Sequence, residues 1–459
     1  MRTMLRLAAC SALALVLTPA MAQDAPSPAA LRDAALNDDK VAWDIVSGLT
    51  TEIGPRLAAS ADEARARDWA VAKLKALGFA NVHIETYQMP AWERGVETGY
   101  ITTPFPQKLT LTALGNSGAT PAEGIEAEIV YFQTFQDLTA APDGSLKGKI
   151  AFVSNAMTPT QDGSSYGAYG AARFVGPNIA AKKGALAIVI KSIGTDHHRV
   201  PHTGQTNFEA GVKPIPAAAL SVPDAEQLER VVASGKPVRL KLVLTPKFVG
   251  MRESGNVVAD VPGSDPDAGM ILVGGHLDSW DLGTGAIDDG AGVAITTAAA
   301  KHIMDAGKPR RTIRVVWFGA EEPGGFGGKA FAKAHAGERY VLAGESDFGA
   351  DRVWQFATSL PDAAKPAVER MKALLAVIGV APARSDRGDF GTDVGPTIEA
   401  GTPGIGMAQS GLRYFDLHHT ADDTLDKIDS VQLRQNVAAW TAMLAVMANA
   451  PEDLSPPKH

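Results

Sequence analysis

The sequence predicts an α/β protein: a mixed, mainly parallel sheet flanked by helices, with a second α/β domain inserted into it. Short, near-continuous apolar runs at 270–273 and 312–318 have the composition of strands buried on both faces. Helical patterns alternate with them, most clearly at 61–77 and 289–306. Between 122 and 246 the pattern changes to brief β runs separated by Gly-, Ser-, Thr- and Pro-rich loops. A chain of 459 residues is too long for one ordinary domain, and two domains fit it.

In chain order, residues 1–22 read as a secretory signal peptide. Arg2 and Arg6 form a basic start, 7–17 is apolar, and Ala20-Met21-Ala22 is a small-x-small cleavage site ahead of Gln23. Export is expected, to a periplasm first and otherwise to the medium, with no membrane anchor after cleavage. Cys10 is the only cysteine, so the mature chain has no disulfide. Losing Arg2 and Arg6 takes the net charge from −8 to −10, which argues against a nucleic-acid partner.

Residues 23–121 are assigned to the N-terminal part of the main domain. Its first stretch, 23–37, is Ala-, Pro- and Asp-rich and is expected to be poorly ordered. The helix at 61–77 aligns Ala66, Ala70, Leu74 and Leu77 on one face and ends at Gly78, a natural C-cap. A strand follows at 81–84. Within the insertion, 122–246, the β runs are 127–132, 148–153, 185–190 and 238–244, with helices at 179–183 and 223–233. No metal-binding constellation is apparent there. The α/β pattern resumes at 256–261 and continues through 247–459 as the rest of the main domain.

Five polar sites mark this last part: His276-Leu277-Asp278, Asp288-Asp289-Gly290, Glu321-Glu322, Glu345-Ser346-Asp347 and His418-His419-Thr420. The first and third directly follow apolar strands, and open α/β sheets bind ligands at the carboxyl ends of their strands. Imidazole and carboxylate together suit zinc. The spacing of two in His276-Leu277-Asp278 lets His276 bind a metal while Asp278 orients a neighbouring group. Asp288 and Asp289 lie in a Gly-rich loop that a cation can approach closely, and one of the two could cap the following helix instead. Adjacent Glu321 and Glu322 leave their strand in different directions, so one can bind metal while the other faces a water molecule. The count fits two metals sharing a carboxylate, with one acid left as a base, an arrangement that activates water for hydrolysis.

These motifs resemble the M28 family of zinc peptidases, in particular its carboxypeptidase Q branch. The resemblance is carried by 276–281 (His-Leu-Asp-Ser-Trp-Asp), 285–290 (Gly-Ala-Ile-Asp-Asp-Gly), 320–322, 345–347 and 418–424, with Pro201-His202-Thr203-Gly204 and Ile215-Pro216 in the insertion, and it spans about 40 to 450. It implies the zinc exopeptidase fold with an inserted protease-associated (PA) domain. It implies two zinc ions per chain, one held by His276 and Asp347, the other by Glu322 and His419, with Asp288 bridging. Glu321 would be the general base and then the acid, and Asp278 the orienting residue. The family usually has His followed by Thr-x-x-Asp-Thr, which selects His419 over His418. Many relatives place an oxyanion-stabilising Tyr one step earlier. His418 stands there in this chain, which leaves His418 and Tyr414 as the candidates. The family further implies a peptide substrate with a free α-amino group, aminopeptidase or dipeptidase activity, and a homodimer.

The rival expectations are a carboxypeptidase on the same site, needing a cation from among Arg173, Arg199, Arg387 and Arg413, a glutaminyl cyclase, and a binding module that has lost its metals.

Overall fold

The computed structural model describes residues 26–384 and 388–456. The predicted signal peptide and Arg387 lie outside them. Helices Pro28–Asp38 (α1), Val41–Gly48 (α2) and Ala61–Leu77 (α3) lead into the long strand Ala80–Glu93 (β1). The chain then builds a second sheet from Glu97–Thr103 (β2), Gln107–Leu109 (β3), Leu111–Ala113 (β4), Ile125–Phe132 (β5), Ile150–Val153 (β6), Ala187–Lys191 (β7), Ala217–Leu220 (β8) and Arg239–Leu244 (β9). Its helices are Phe135–Ala140 (α4), Ser164–Tyr169 (α5), Ala171–Phe174 (α6), Gly176–Lys182 (α7) and Val222–Val232 (α8). Lys247–Val261 (β10) returns beside β1. Met270–His276 (β11), Ala291–Ala306 (α9), Thr312–Phe318 (β12), Phe326–Ala334 (α10) and Tyr340–Glu345 (β13) complete the main sheet. Val353–Thr358 (β14), Lys365–Ala376 (α11), Ala381–Pro382 (β15), Gly395–Glu399 (α12), Ile405–Gln409 (β16), Tyr414–Leu417 (α13) and Ser430–Met447 (α14) follow.

The main sheet has five strands in the order β1-β10-β12-β11-β13. It is mixed: β11 runs parallel to β12 and to β13, while β10 is antiparallel to β12 and to β1. The central strands are as apolar as the sequence implied because both faces are covered; Ile271, Leu272, Val273, Val315 and Val316 are all fully buried. Burying each such side chain stabilises the fold by roughly 1.5–3 kcal/mol. α9 is built from Ala, Gly, Val and Thr because it is sandwiched: it packs on β11 and β12 on one side and on α14 and α2 on the other. Bulkier residues would hold these layers apart.

Two expectations are corrected. The segment 23–37 was expected to be poorly ordered, yet residues 28–38 form α1. Ser27 caps this helix by accepting from Ala30 N, Arg32 donates to Leu374 O at 3.1 Å, and Ala35 is buried in the main core. Its tertiary partner is α14, at the other end of the chain, and local composition carries no trace of it. The boundary placed at 122 is also too late. β2, β3 and β4 belong to the second sheet, whose order is β3-β2-β9-β5-β6-β7-β8-β4. β2 pairs with β9 and β4 with β8, contacts far away in sequence that strands as short as three residues do not announce.

α3 begins with Ser60, which accepts from Glu63 N at 3.1 Å, and ends on the expected Gly78, whose φ of +91° is left-handed. Glu63 does not complete a capping box. Its carboxylate points inward, accepts from Ser254 Oγ at 3.1 Å and lies 3.4 Å from Arg67 Nε. Burial, with the charge of Asp278, pushes Glu63 up to about 7 although Arg67 and Ser254 oppose the shift. A carboxyl with a raised folded pKa binds its proton more tightly in the folded state. Its contribution to stability is therefore full below the unfolded value near 4.5 and is lost as pH rises through about 7. Glu63→Gln should flatten this dependence. The stability gap between variant and parent, followed by urea unfolding, should widen from pH 5 to pH 8 in the variant's favour. A constant gap would mean that Glu63 is not protonated in the fold.

Candidate metal centre

Three neighbouring strand ends converge. β11 ends at His276, directly opposite Phe318 at the end of β12, while Gly274 pairs with Glu345 at the end of β13. The loops leaving them carry Asp278, Glu321-Glu322 and Asp347. After β12 the chain turns sharply at Ala320, whose φ is +54°, and this turn separates the directions of Glu321 and Glu322. The turn Ala286–Gly290 brings Asp288 over the same spot, and His418 and His419 arrive from the end of α13.

Asp288 is central. Its Oδ1 lies 3.1 Å from His276 Nε2, and its Oδ2 lies 3.2 Å from His419 Nε2. On the first side His276 Nε2 is 3.4 Å from Asp347 Oδ1; on the second His419 Nε2 is 3.0 Å from Glu322 Oε2. The five residues thus form two His–carboxylate pairs, with one oxygen of Asp288 facing each. His418 is near but differently placed. Its Nε2 is 3.6 Å from Asp288 Oδ2, and its ring stacks on that of His419 at 3.5 Å. Both histidines face Asp288 because His419 adopts a left-handed φ of +62°. Burial lowers the pKa of each, whereas the carboxylates around His276, Asp347 foremost, raise that of His276 against its own burial.

Asp278 is buried behind Glu321. It accepts from Glu321 N at 3.0 Å and Glu322 N at 3.3 Å, and its backbone oxygen accepts from His276 Nδ1 at 2.9 Å, leaving His276 Nε2 free. Asp289 has a purely structural place. It accepts from His276 N at 3.0 Å and from Gly292 N at 2.9 Å, which locks the start of α9 to the end of β11. Glu345 also turns away from the cluster and accepts from Asp393 N at 2.8 Å. Tyr414 lines the cavity and stacks on Phe348 at 4.4 Å.

Several further participants surround the cluster; Asp423, His202 and Thr203 stand in motifs quoted from the sequence, whereas Arg56 was not legible there. Arg56, fully buried, donates to the backbone oxygens of Leu277 (2.6 Å), Thr284 (2.7 Å), Gly285 (2.9 Å) and Gly54 (3.0 Å). Asp423 accepts from Ala286 N and Ile287 N, both at 2.7 Å. Together they hold the Asp288 loop. The second sheet reaches the site as well, although no metal-type cluster marked it. Thr203 N donates to His419 O at 3.0 Å, and Thr203 O lies 3.3 Å from His419 Nδ1. His202, fully buried, joins Asp196 to the backbone oxygen of His418. Arg94 ties Asp281 to Thr203, and Arg173 and Tyr166 line the cavity. That cavity, of about 350 Å³, opens onto Asp288, Glu321, Glu322, Asp347 and His419.

The side chains suit divalent metal. Burial pushes Glu321 up to about 8, with Asp347, Glu322 and Asp278 adding to the shift and His276 opposing it. Burial, then Asp288, raises Glu322 well above the carboxylate range. Asp288 Oδ2 and Glu322 Oε1 are buried and have no hydrogen-bond partner. Acids crowded in this way repel one another unless cations lie between them, and imidazole with carboxylate is a zinc donor set.

Comparison with known proteins agrees. The sequence profile of Peptidase family M28 matches residues 256–444. Carboxypeptidase Q of Bos taurus is 35% identical over 410 residues, covering 88% of this chain and 85% of the relative. The Homo sapiens carboxypeptidase Q is 34% identical over 409 residues, with coverages of 88% and 85%. Among solved structures, a peptidase M28 precursor from Shewanella amazonensis superposes with a TM-score of 0.90 at 47% identity, covering 93% of this chain and 98% of that one. A zinc aminopeptidase from Bacillus subtilis shares the fold, with a TM-score of 0.64 at 20% identity and coverages of 89% and 95%.

Proposed function

The chain belongs to peptidase family M28, and from that membership we propose that it is an exported dizinc exopeptidase acting on dipeptides and short peptides with a free N-terminus. Its class, a zinc-dependent metallopeptidase, follows from the family. The finer reading rests on Asp288, whose two oxygens face two separate His–carboxylate pairs. His276 and Asp347 would hold one zinc, Glu322 and His419 the other, and Asp288 both. Zinc ions there would supply Lewis acidity, lowering the pKa of water and polarising a carbonyl oxygen. Glu321, held by its backbone to Asp278, takes the proton of the attacking water and returns it to the leaving amine. His276 is fixed in the tautomer that leaves Nε2 free by the oxygen of Asp278, and His419 by that of Thr203. The second sheet is read as a PA-like insertion that closes one side of the cavity. Export is supported by the signal-peptide pattern; among the described residues no helix is long and apolar enough to cross a membrane.

A carboxypeptidase needs a cation for the substrate's terminal carboxylate. Arg199 pairs with Asp224 and Arg413 with Asp351. Arg173 does line the cavity, where it donates to Tyr166. Among the described residues this leaves Arg173 as the one candidate cation at the cavity, and a free N-terminus is the requirement that the family resemblance favours.

Zinc-loaded protein should cleave a dipeptide, lose that activity on chelation and regain it with zinc. N-acetylation of the dipeptide should abolish cleavage. Retention of activity on the C-amidated form would define an aminopeptidase, and its loss there as well a strict dipeptidase. Cleavage that survives N-acetylation and fails only on C-amidation would replace this reading with a carboxypeptidase.

A further inference from the structure

We propose that Tyr166, held by Arg173, is the hydrogen-bond donor that stabilises the oxyanion formed at the scissile carbonyl, an assignment that rests on the hydrolytic reading above. Tyr166 lies on α5, within the second sheet's part of the chain, and is half-buried in the cavity wall that Asp288, Glu321 and His419 also form. Its ring stacks on Phe415 at 4.8 Å and meets His418 edge-on at 5.3 Å, so its direction is restricted. The hydroxyl accepts from Arg173 Nη2. Among the described residues nothing accepts the phenolic proton, which leaves it available to a molecule in the cavity. Burial pushes the phenol up to about 12 against the pull of Arg173, so it remains a donor.

Arg173 is 2% exposed, and the groups it donates to are neutral: Thr203 O and the Tyr166 hydroxyl. Its Nε has no partner. A buried cation without a counter-ion is costly, and it polarises the phenol it donates to. Both features suit a site where negative charge appears only during reaction, because the unpaired cation and the unused proton are then satisfied together. The same guanidinium places Nη1 3.2 Å from His419 Nδ1, so Arg173 bridges the phenol and the ring of a residue assigned as a metal ligand.

The two candidates named from the sequence are less well placed. Tyr414 stacks on Phe348 at 4.4 Å, and among the described residues no cationic side chain donates to its hydroxyl as Arg173 does to that of Tyr166. His418 directs Nε2 at Asp288, and its Nδ1 is buried without a partner.

In the step concerned, attack of water forms a C–O bond, moves the carbonyl π electrons onto oxygen and puts the water's proton on Glu321. Tyr166 keeps its own proton and shares it with that oxygen. As the C–N bond breaks, the carbonyl re-forms and the proton on Glu321 passes to the amine.

Tyr166→Phe should lower kcat for alanylalanine by about 10²-fold with KM within about twofold. It should weaken binding of the phosphinic analogue of alanylalanine, measured by calorimetry, by a similar factor, with zinc content unchanged. Arg173→Lys, which keeps the charge but not the planar fork, should fall between the two. Wild-type kcat and analogue affinity in Tyr166→Phe would overturn the assignment, as would a loss confined to KM or to zinc content. A wild-type protein that cleaves no peptide would instead remove the exopeptidase reading itself, and the parent enzyme reveals this before any variant is made.

Discussion

Glu321→Gln is expected to lower turnover by about 10²–10⁴-fold while leaving zinc content intact. The amide is the same shape as the acid and keeps its backbone hydrogen bond to Asp278, so the loop should hold. What it lacks is a group that can accept a proton from water and give it to an amine. The substitution also removes one of several crowded acids: Glu321 is raised by burial and then by Asp347, Glu322 and Asp278. The metal-free variant should therefore unfold at a higher urea concentration than the metal-free parent, while the zinc-loaded variant is close to inactive. Steady-state kinetics and urea unfolding on the same preparations check both halves. Full turnover by the Gln variant would assign the base elsewhere.

Arg56→Met should produce the largest loss of stability, on the order of 3–5 kcal/mol. Methionine fills much of the space but donates nothing. Four backbone oxygens that now accept from Arg56, those of Gly54, Leu277, Thr284 and Gly285, would stay buried without donors. A positive charge would also be lost from among Asp423, Asp278, Asp289 and Asp288. Because Leu277 follows His276 and Gly285 precedes the turn carrying Asp288, weaker zinc binding should accompany the loss. Urea unfolding and a zinc titration read these two effects. Arg56→Lys, with its charge but without the fork, should recover part of each. A Met variant that unfolds at the parent's midpoint would show that the loop is held by other contacts, Asp423 foremost.

The alternation of apolar strands and helices was legible because the main sheet is covered on both faces, so its strands are recorded as unbroken runs such as 312–318. The zinc-type residues were legible because they cluster immediately after those runs, where a parallel sheet presents its ligands. Strand ends alone could not decide between neighbours. Asp288 faces both histidine pairs and Asp289 locks α9 to β11, yet both stand in one Gly-rich loop. His418 and His419 differ by one position, and only the left-handed backbone at His419, with Thr203 against it, turns Nε2 of the latter toward Glu322.

By itself, then, the sequence determined the α/β class and the polar sites that follow its strands, since each depends on residue type and on position relative to a local period; the choice of His276, Asp288, Glu322, Asp347 and His419, with Glu321 beside them, came from the family resemblance. Tertiary structure alone decided the roles of α1, of β2 to β4, and of Arg56, Arg173, Tyr166 and Thr203. The physical reason is distance along the chain. Arg56 grips oxygens more than two hundred residues away, and Arg173 meets a histidine 246 positions later. A buried arginine and an exposed one are spelled alike, and the fold alone tells them apart, by bringing together the oxygens, rings and acids that they serve.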